Sequence, residues 1–326
     1  MASEAEELRD RVRAGERRAL AQVITHLEST LPEKARIGQD VLEELVPYTG
    51  GAVRVGVTGP PGVGKSTFIE ALGLMLVERG HRVAVLAVDP SSPVSGGSIL
   101  GDKTRMEELA QLDAAFIRPS PSGGSLGGVA HRTREAMLAC EAAGYDVVLV
   151  ETVGIGQSEV AVSSMVDFFL VLLLPGGGDE LQGIKKGVME LADALVVNKA
   201  DGDTAAVAET TRSEYTGALA LIRASSPNWA PLALTASALE GTGIVEAWQV
   251  VLDHRAKLSE TGELESRRRD QARSWMWALV DEALRRGFRE DAAVASAIPD
   301  LEAQVEQQRT TPAAAARSLL DVFRFE

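Results

Sequence analysis

The chain is short of the residues that build metal clusters and disulfide frameworks: 326 residues include one cysteine, Cys140, and four histidines. A lone cysteine excludes an internal disulfide, and its setting, Ala136-Met137-Leu138-Ala139-Cys140, reads as a helix core position. His26, His81, His131 and His254 include no pair at ligand spacing, which argues against a zinc- or nickel-type site. Positive charge is also scarce. Lys and Arg number 33 against 47 Asp and Glu, and the net charge of −14 disfavours nucleic acid or an anionic membrane surface as a general partner. No apolar run reaches membrane-spanning length, and the N-terminus, with Glu4, Glu6, Glu7, Arg9 and Asp10, lacks signal-peptide character. The expectation is a cytoplasmic protein. What is abundant is core material: hydrophobic residues make up 45% of the chain, enough for a sizeable core, and 326 residues leave room for extra elements at one or both ends of a single domain.

Three parts follow from the periodicity. Residues 1–50 read as helices, with a stripe of Leu8, Val12, Leu20, Val23, Ile24 and Leu27 and a second segment from Pro32 to about Val46-Pro47. Residues 51–254 alternate strands and helices, with strands expected near 53–58, 83–88, 114–117, 146–150, 168–174, 193–197 and 231–235. That alternation predicts an α/β fold with a doubly wound, mainly parallel sheet. Residues 255–326 turn helical and charged, and 311–326 reads as a closing helix. Trp275 and Trp277 cannot share one side of a helix, so one is expected in the core and the other against another subunit.

The segment Gly59-Pro60-Pro61-Gly62-Val63-Gly64-Lys65-Ser66-Thr67 matches the phosphate-binding loop pattern G-x-x-x-x-G-K-[ST]. The β-prone run Arg54–Thr58 precedes it and a helical pattern from Phe68 follows. A strand feeding a glycine-rich turn into a helix N-terminus aims backbone N–H groups at an anion. Lys65, expected to face solvent at the ligand site, adds a charge for the β- and γ-phosphates, and the Ser66 hydroxyl is a Mg²⁺ ligand candidate. An ordinary glycine-rich turn explains neither residue at these offsets. The chain is expected to bind a nucleoside triphosphate.

The base is indicated farther on. The apolar run Ala194-Leu195-Val196-Val197 ends in Asn198-Lys199-Ala200-Asp201, the N-K-x-D pattern of guanine-specific GTPases. A carboxylate at Asp201 offers only acceptors, which suits the N1–H and N2 amino donors of guanine and not adenine. The Lys199 stem can cover the base while its head stays wet, and Asn198 can tie the base site to the phosphate loop. Ser237-Ala238-Leu239, after the run Pro231–Leu234, looks like the Ser-Ala loop whose backbone N–H contacts guanine O6.

Asp89, Asp102 and Glu151 lie at or shortly after the carboxyl ends of candidate strands, where open α/β sheets place ligands. Taken singly, each reads as a helix cap or solvated turn. Three together beside a phosphate loop predict a Mg²⁺·GTP site. Ras-like proteins have D-x-x-G where this chain has Glu151-Thr152-Val153-Gly154, and the longer Glu side chain suits coordination through a water.

Several long runs, Val88–Pro93, Gly96–Met106, Phe116–Ser120, Glu151–Glu159 and Gly178–Gly187, resemble the ArgK/MeaB/MMAA-type GTPases, over roughly residues 10–290. The resemblance implies the SIMIBI branch of P-loop proteins, a homodimer formed through the helical C-terminal segment, and GTP-dependent gating of adenosylcobalamin delivery to a methylmalonyl-CoA mutase or related acyl-CoA mutase. It also implies that the Gly176–Lys186 loop is a switch responding to nucleotide and mutase. Three successive glycines, Gly176–Gly178, fit such a rearranging backbone; the Gly/Ser-rich stretch Pro119–Gly128 suits a surface closing on a partner. A nickel-type metallochaperone GTPase and a kinase passing on the γ-phosphate are the rival readings; the first lacks ligand pairs and the second a substrate motif. After Gly154 stands Ile155, where Ras-type switches keep a water-orienting Gln, and Gln157 lies two residues farther on.

Overall fold

The computed structural model describes residues 4–88, 106–119, 126–152, 158–176, 186–222 and 225–323. Three helices open the chain, α1 (Glu4–Arg13), α2 (Arg17–Leu27) and α3 (Pro32–Leu45). The apolar stripe from Leu8 to Leu27 is not one helix: Gly15, at φ +79°, breaks it between α1 and α2. Pro32 stands at the first turn of α3, where its missing N–H costs nothing.

The strands are β1 (Val53–Thr58), β2 (Val83–Val88), β3 (Ala115–Arg118), β4 (Val147–Thr152), β5 (Phe168–Leu173), β6 (Ala194–Val197) and β7 (Leu232–Thr235). Between them lie α4 (Lys65–Glu78), α5 (Glu107–Gln111), α6 (Leu126–Ala142), α7 (Ser158–Ser163), α8 (Lys186–Leu191) and α9 (Ala205–Leu219); α10 (Ile244–Glu260) follows β7. All seven strands run parallel in the order β3-β2-β4-β1-β5-β6-β7, so the doubly wound sheet expected from the sequence is present and wholly parallel.

Both faces of this sheet are covered, which is why its strands read as near-continuous apolar runs. Alternate residues serve opposite layers. Val148 and Val150 join the core shared with α2, α3, α6 and α9, whereas Val147 and Leu149 join Phe68, Ile69, Leu72 and Trp248 of α4 and α10. Cys140 is fully buried on α6, as its sequence setting required.

The amino ends of the strands carry a buried ionic network. Asp167, just before β5, accepts from Arg54 N (3.0 Å) and takes a two-point contact from Arg268 Nε (2.7 Å) and Nη2 (2.6 Å). Arg54 in turn pairs with buried Glu141. Asp193, before β6, accepts from Phe169 N at 2.8 Å and lies 3.5 Å from both His254 and Arg267. These charges hold the sheet at the end away from the phosphate loop.

The chain divides into two compact units, residues 1–268 and 269–326. α11 (Glu263–Glu290) begins in the first and continues into the second, which also holds α12 (Ala292–Glu306) and α13 (Pro312–Val322). Asp291 caps α12 through Ala293 N (3.0 Å) and Val294 N (2.9 Å), and Thr311 caps α13. Within this unit Phe288 meets Phe323 edge-on, with ring centroids 5.1 Å apart. Trp275 is half-buried and Trp277 is 58% exposed, so neither forms the deep core position expected of one of them. Leu264, at the start of α11, is its one buried residue, and Trp277 joins Met276, Val280 and Leu284 in an exposed apolar set.

Candidate active site

The site is built at the carboxyl ends of β1, β4, β6 and β7. β1 ends at Thr58, residues Gly59–Gly64 turn, and α4 starts at Lys65. Two of the turn's glycines are fixed by space as well as by conformation. At Gly59 (φ +150°) an added Cβ would stand 2.5 Å from the Leu172 carbonyl; at Gly64 (φ +93°) it would stand 2.8 Å from Asn198 Nδ2. The first turn of α4 has N–H groups without intrahelical acceptors, and they point out of the helix toward the turn. Pro60 is partly and Pro61, Gly62 and Thr67 largely exposed, while Val63 is buried beneath them.

Lys65 is only 9% exposed, not solvent-facing as the sequence led us to expect. Its ammonium donates to Gly59 O (2.9 Å) and Pro60 O (3.2 Å), and these loop carbonyls replace the water that an exposed lysine would hold. Ser66 Oγ donates to Glu151 Oε1 at 2.9 Å. Glu151 is buried near the end of β4, directly beside β1 in the register Val57↔Glu151. The result is a cation and a hydroxyl on successive residues of α4, the hydroxyl paired with a carboxylate from β4.

Asn198 joins the second half to the first. It is 1% exposed; Nδ2 donates to Val63 O at 2.8 Å, and Oδ1 accepts from Ala238 N at 3.1 Å. One side chain thus bridges the phosphate turn and the Ser237-Ala238-Leu239 loop. Ser237 Oγ donates to Asp201 Oδ2, and Ala200 N donates to Ala236 O at 3.0 Å. Lys199 is exposed at φ +60°, and Leu239 is 82% exposed. A flat base entering here would meet the Lys199 stem, the Asp201 carboxylate and the amides of the Ser237 loop, of which Ala238 N–H is shared with Asn198.

Asp89, Asp102, Ile155, Gln157 and most of the Gly176–Lys186 loop lie outside the described residues. Among the described residues no group of three or more His, Cys, Asp or Glu is arranged to hold a metal ion. Two supporting features escaped the sequence reading. Thr204 Oγ1 donates to the carbonyls of Lys199 and, at 2.7 Å, Asp201, holding the base-side turn; a Thr three residues past N-K-x-D was its only signal. Gly243, at φ +75°, lies so close to Thr235 O that no Cβ fits behind the Ser237 loop.

The family model described as methylmalonyl Co-A mutase-associated GTPase MeaB matches residues 20–293. The chain belongs to the MeaB family. Its relatives include GTPase ArgK of Escherichia coli, 53% identical over 83% of this chain and 82% of that protein. A mouse protein, methylmalonic aciduria type A homolog, mitochondrial, is 46% identical over 95% of this chain and 77% of its own length. A crystal structure described as LAO/AO transport system kinase is 40% identical, with a TM-score of 0.79 over 98% of both chains. As a MeaB-family member the protein is a P-loop GTPase, a hydrolase acting on GTP, and binds guanine nucleotide. The resemblance carried by the long motif runs is therefore borne out.

Proposed function

We propose that the protein is a Mg²⁺-dependent, GTP-hydrolysing chaperone that gates adenosylcobalamin loading and protection of an acyl-CoA mutase, with methylmalonyl-CoA mutase as its client. The client comes from the family description and from the name of the mouse relative. The observation that carries the nucleotide chemistry is the Asn198 bridge, which brings the Lys65–Ser66 turn and the Asp201–Ser237 loop to one side of the sheet.

In this reading the turn amides of Gly59, Gly62, Val63 and Gly64, those of Lys65, Ser66 and Thr67, and the Lys65 ammonium hold the phosphates, with Pro60 and Pro61 shaping the turn. Lys65 exchanges its two carbonyl acceptors for phosphate oxygens, so its charge is already aimed before substrate arrives. Asn198, Lys199 and Asp201 read guanine, helped by Ser237, Ala238 and Leu239. Ser66 and Glu151 fit a Mg²⁺ ion by donor chemistry: both are oxygen ligands, already within hydrogen-bond distance of each other beside the phosphate turn. Asp89 and Asp102 are proposed to complete that set. When bound, Mg²⁺ neutralises charge on the β- and γ-phosphate oxygens. The chain's own part is to orient the triphosphate and withhold a strong water-positioning group.

We assign residues 1–50 to an N-terminal helical extension, 51–254 to the GTPase domain and 255–326 to a helical segment for homodimerisation, to which the exposed Met276, Trp277, Val280 and Leu284 lend support. A cytoplasmic location agrees with the finding that no helix among the described residues is long and apolar enough to cross a membrane. A test is chromatography of the protein mixed with methylmalonyl-CoA mutase in the presence of a non-hydrolysable GTP analogue. Co-elution supports the reading. Separate elution in GTP analogue, GDP and nucleotide-free buffer alike overturns the client assignment.

A further inference from the structure

Thr58 and Thr152 take no part in the contacts described above, yet both are fully buried at the heart of the site. Thr58 is the last residue of β1, immediately before Gly59, and Thr152 is the last of β4, immediately after Glu151. The Thr152 hydroxyl donates to that of Thr58 at 2.7 Å, joining residues 94 apart in sequence. The backbone register between the two strands runs from Val53↔Val147 to Val57↔Glu151. Beyond it, Thr58 pairs with Val171 of β5 and Thr152 with Val88 of β2. The hydroxyl pair thus links β1 to β4 at the level where one strand leaves for the phosphate turn and the other for the segment after Glu151.

Alternation along β4 puts Thr152 on the face of Val148 and Val150, and Glu151 on the face of Val147 and Leu149, with α4 and Ser66. A valine would fill the Thr152 position as well and would suit the apolar layer better. What a hydroxyl adds is a direct bond to Thr58, the residue immediately before the phosphate turn. That bond restrains the peptide after Glu151, so the carboxylate on the opposite face stays aimed at Ser66, 2.9 Å away.

We infer that Thr58 and Thr152 are positioning residues for Glu151, setting the affinity of the Ser66–Glu151 pair for a divalent cation bound with a nucleoside triphosphate. The inference rests on the reading of that pair as a cation site. Because a buried hydroxyl left alone is costly while a pair removed together is nearly neutral, stability and cation affinity can be separated. The test titrates Mg²⁺ against binding of a fluorescent GTP analogue for the wild type, Thr152→Val, Thr152→Ser and the double variant Thr58→Val/Thr152→Val, with urea denaturation of each without nucleotide. Thr152→Val is expected to weaken apparent Mg²⁺ affinity about three- to tenfold, and Thr152→Ser to stay near wild type. The double variant should recover stability but keep the weakened affinity. If affinity returns together with stability in the double variant, or Thr152→Val leaves it unchanged, the pair is packing alone and the inference falls. A wild type whose analogue binding is indifferent to Mg²⁺ would instead remove the cation site itself, and this inference with it.

Discussion

Asn198 is the residue whose replacement tests the architecture of the site most fully, because its two polar atoms are used by two different loops before any ligand arrives. Replacing it with alanine removes the 2.8 Å bond to Val63 O and the 3.1 Å bond from Ala238 N, and leaves both backbone groups without that partner at a position 1% exposed. Each orphaned group costs about 1–3 kcal/mol, so the protein without nucleotide should lose about 2–6 kcal/mol of stability. Urea denaturation reads this directly, and calorimetry with GDP should show a parallel loss of affinity because the two half-sites are no longer joined. Gly64 supplies an internal control. Gly64→Ala carries about 1–2 kcal/mol of left-handed strain wherever it is made, plus a contact 2.8 Å from Asn198 Nδ2. In the Asn198→Ala background that contact is gone, so the two substitutions should be less than additive, by about 1 kcal/mol. Strict additivity, or an Asn198→Ala protein within about 0.5 kcal/mol of wild type, would refute the bridge.

Three further outcomes follow from single side chains. Lys65→Ala should abolish hydrolysis and weaken triphosphate binding while circular dichroism stays native, since its bonds to Gly59 O and Pro60 O lie within the phosphate turn itself; a collapsed spectrum would mean Lys65 is structural. Asp201→Asn should move base preference toward xanthine nucleotides, and competition binding that leaves guanine preferred as before would remove Asp201 from base recognition. Burial pushes the Glu135 carboxyl on α6 up to about 7, against the pull of the hydrogen bond from Gln39 and the charge of Arg132. A folded value above the unfolded one means its contribution is complete below the ordinary value of 4.5 and is lost as pH rises through about 7. Glu135→Gln should therefore raise stability by about 2–3 kcal/mol at pH 8 and hardly at pH 5; equal effects at both pH values would contradict this.

The strands were legible because a parallel sheet covered on both faces needs apolar residues at every position, as in Val83–Val88 and Phe168–Leu173. The phosphate turn and Asn198–Asp201 were legible because their chemistry fixes residue types at fixed offsets. What stayed hidden was long-range. Nothing in the local sequence pattern pairs Asp167 with Arg54 and Arg268, or Asp193 with Arg267, yet these residues meet at the amino ends of the strands from positions far apart in sequence. The helical stripe of the first residues gave no sign that Gly15 would interrupt it, because periodicity records which face is apolar and not where the axis bends. Lys65 was misjudged for a related reason: sequence identifies a cation, while its burial depends on carbonyls that only the folded turn brings near.

The central claim is that a mutase completes what this chain leaves unfinished. Ile155 stands where a water-orienting Gln is found in Ras-type switches, and the Gly176–Lys186 loop is the proposed point of contact. The most direct measurement is single-turnover GTP hydrolysis with and without saturating methylmalonyl-CoA mutase, repeated with Lys185→Ala. The account predicts slow hydrolysis alone and stimulation by the mutase, on the order of 10³-fold if a charged group is supplied in trans, and reduced stimulation in the Lys185 variant. An unchanged rate with saturating mutase would contradict it.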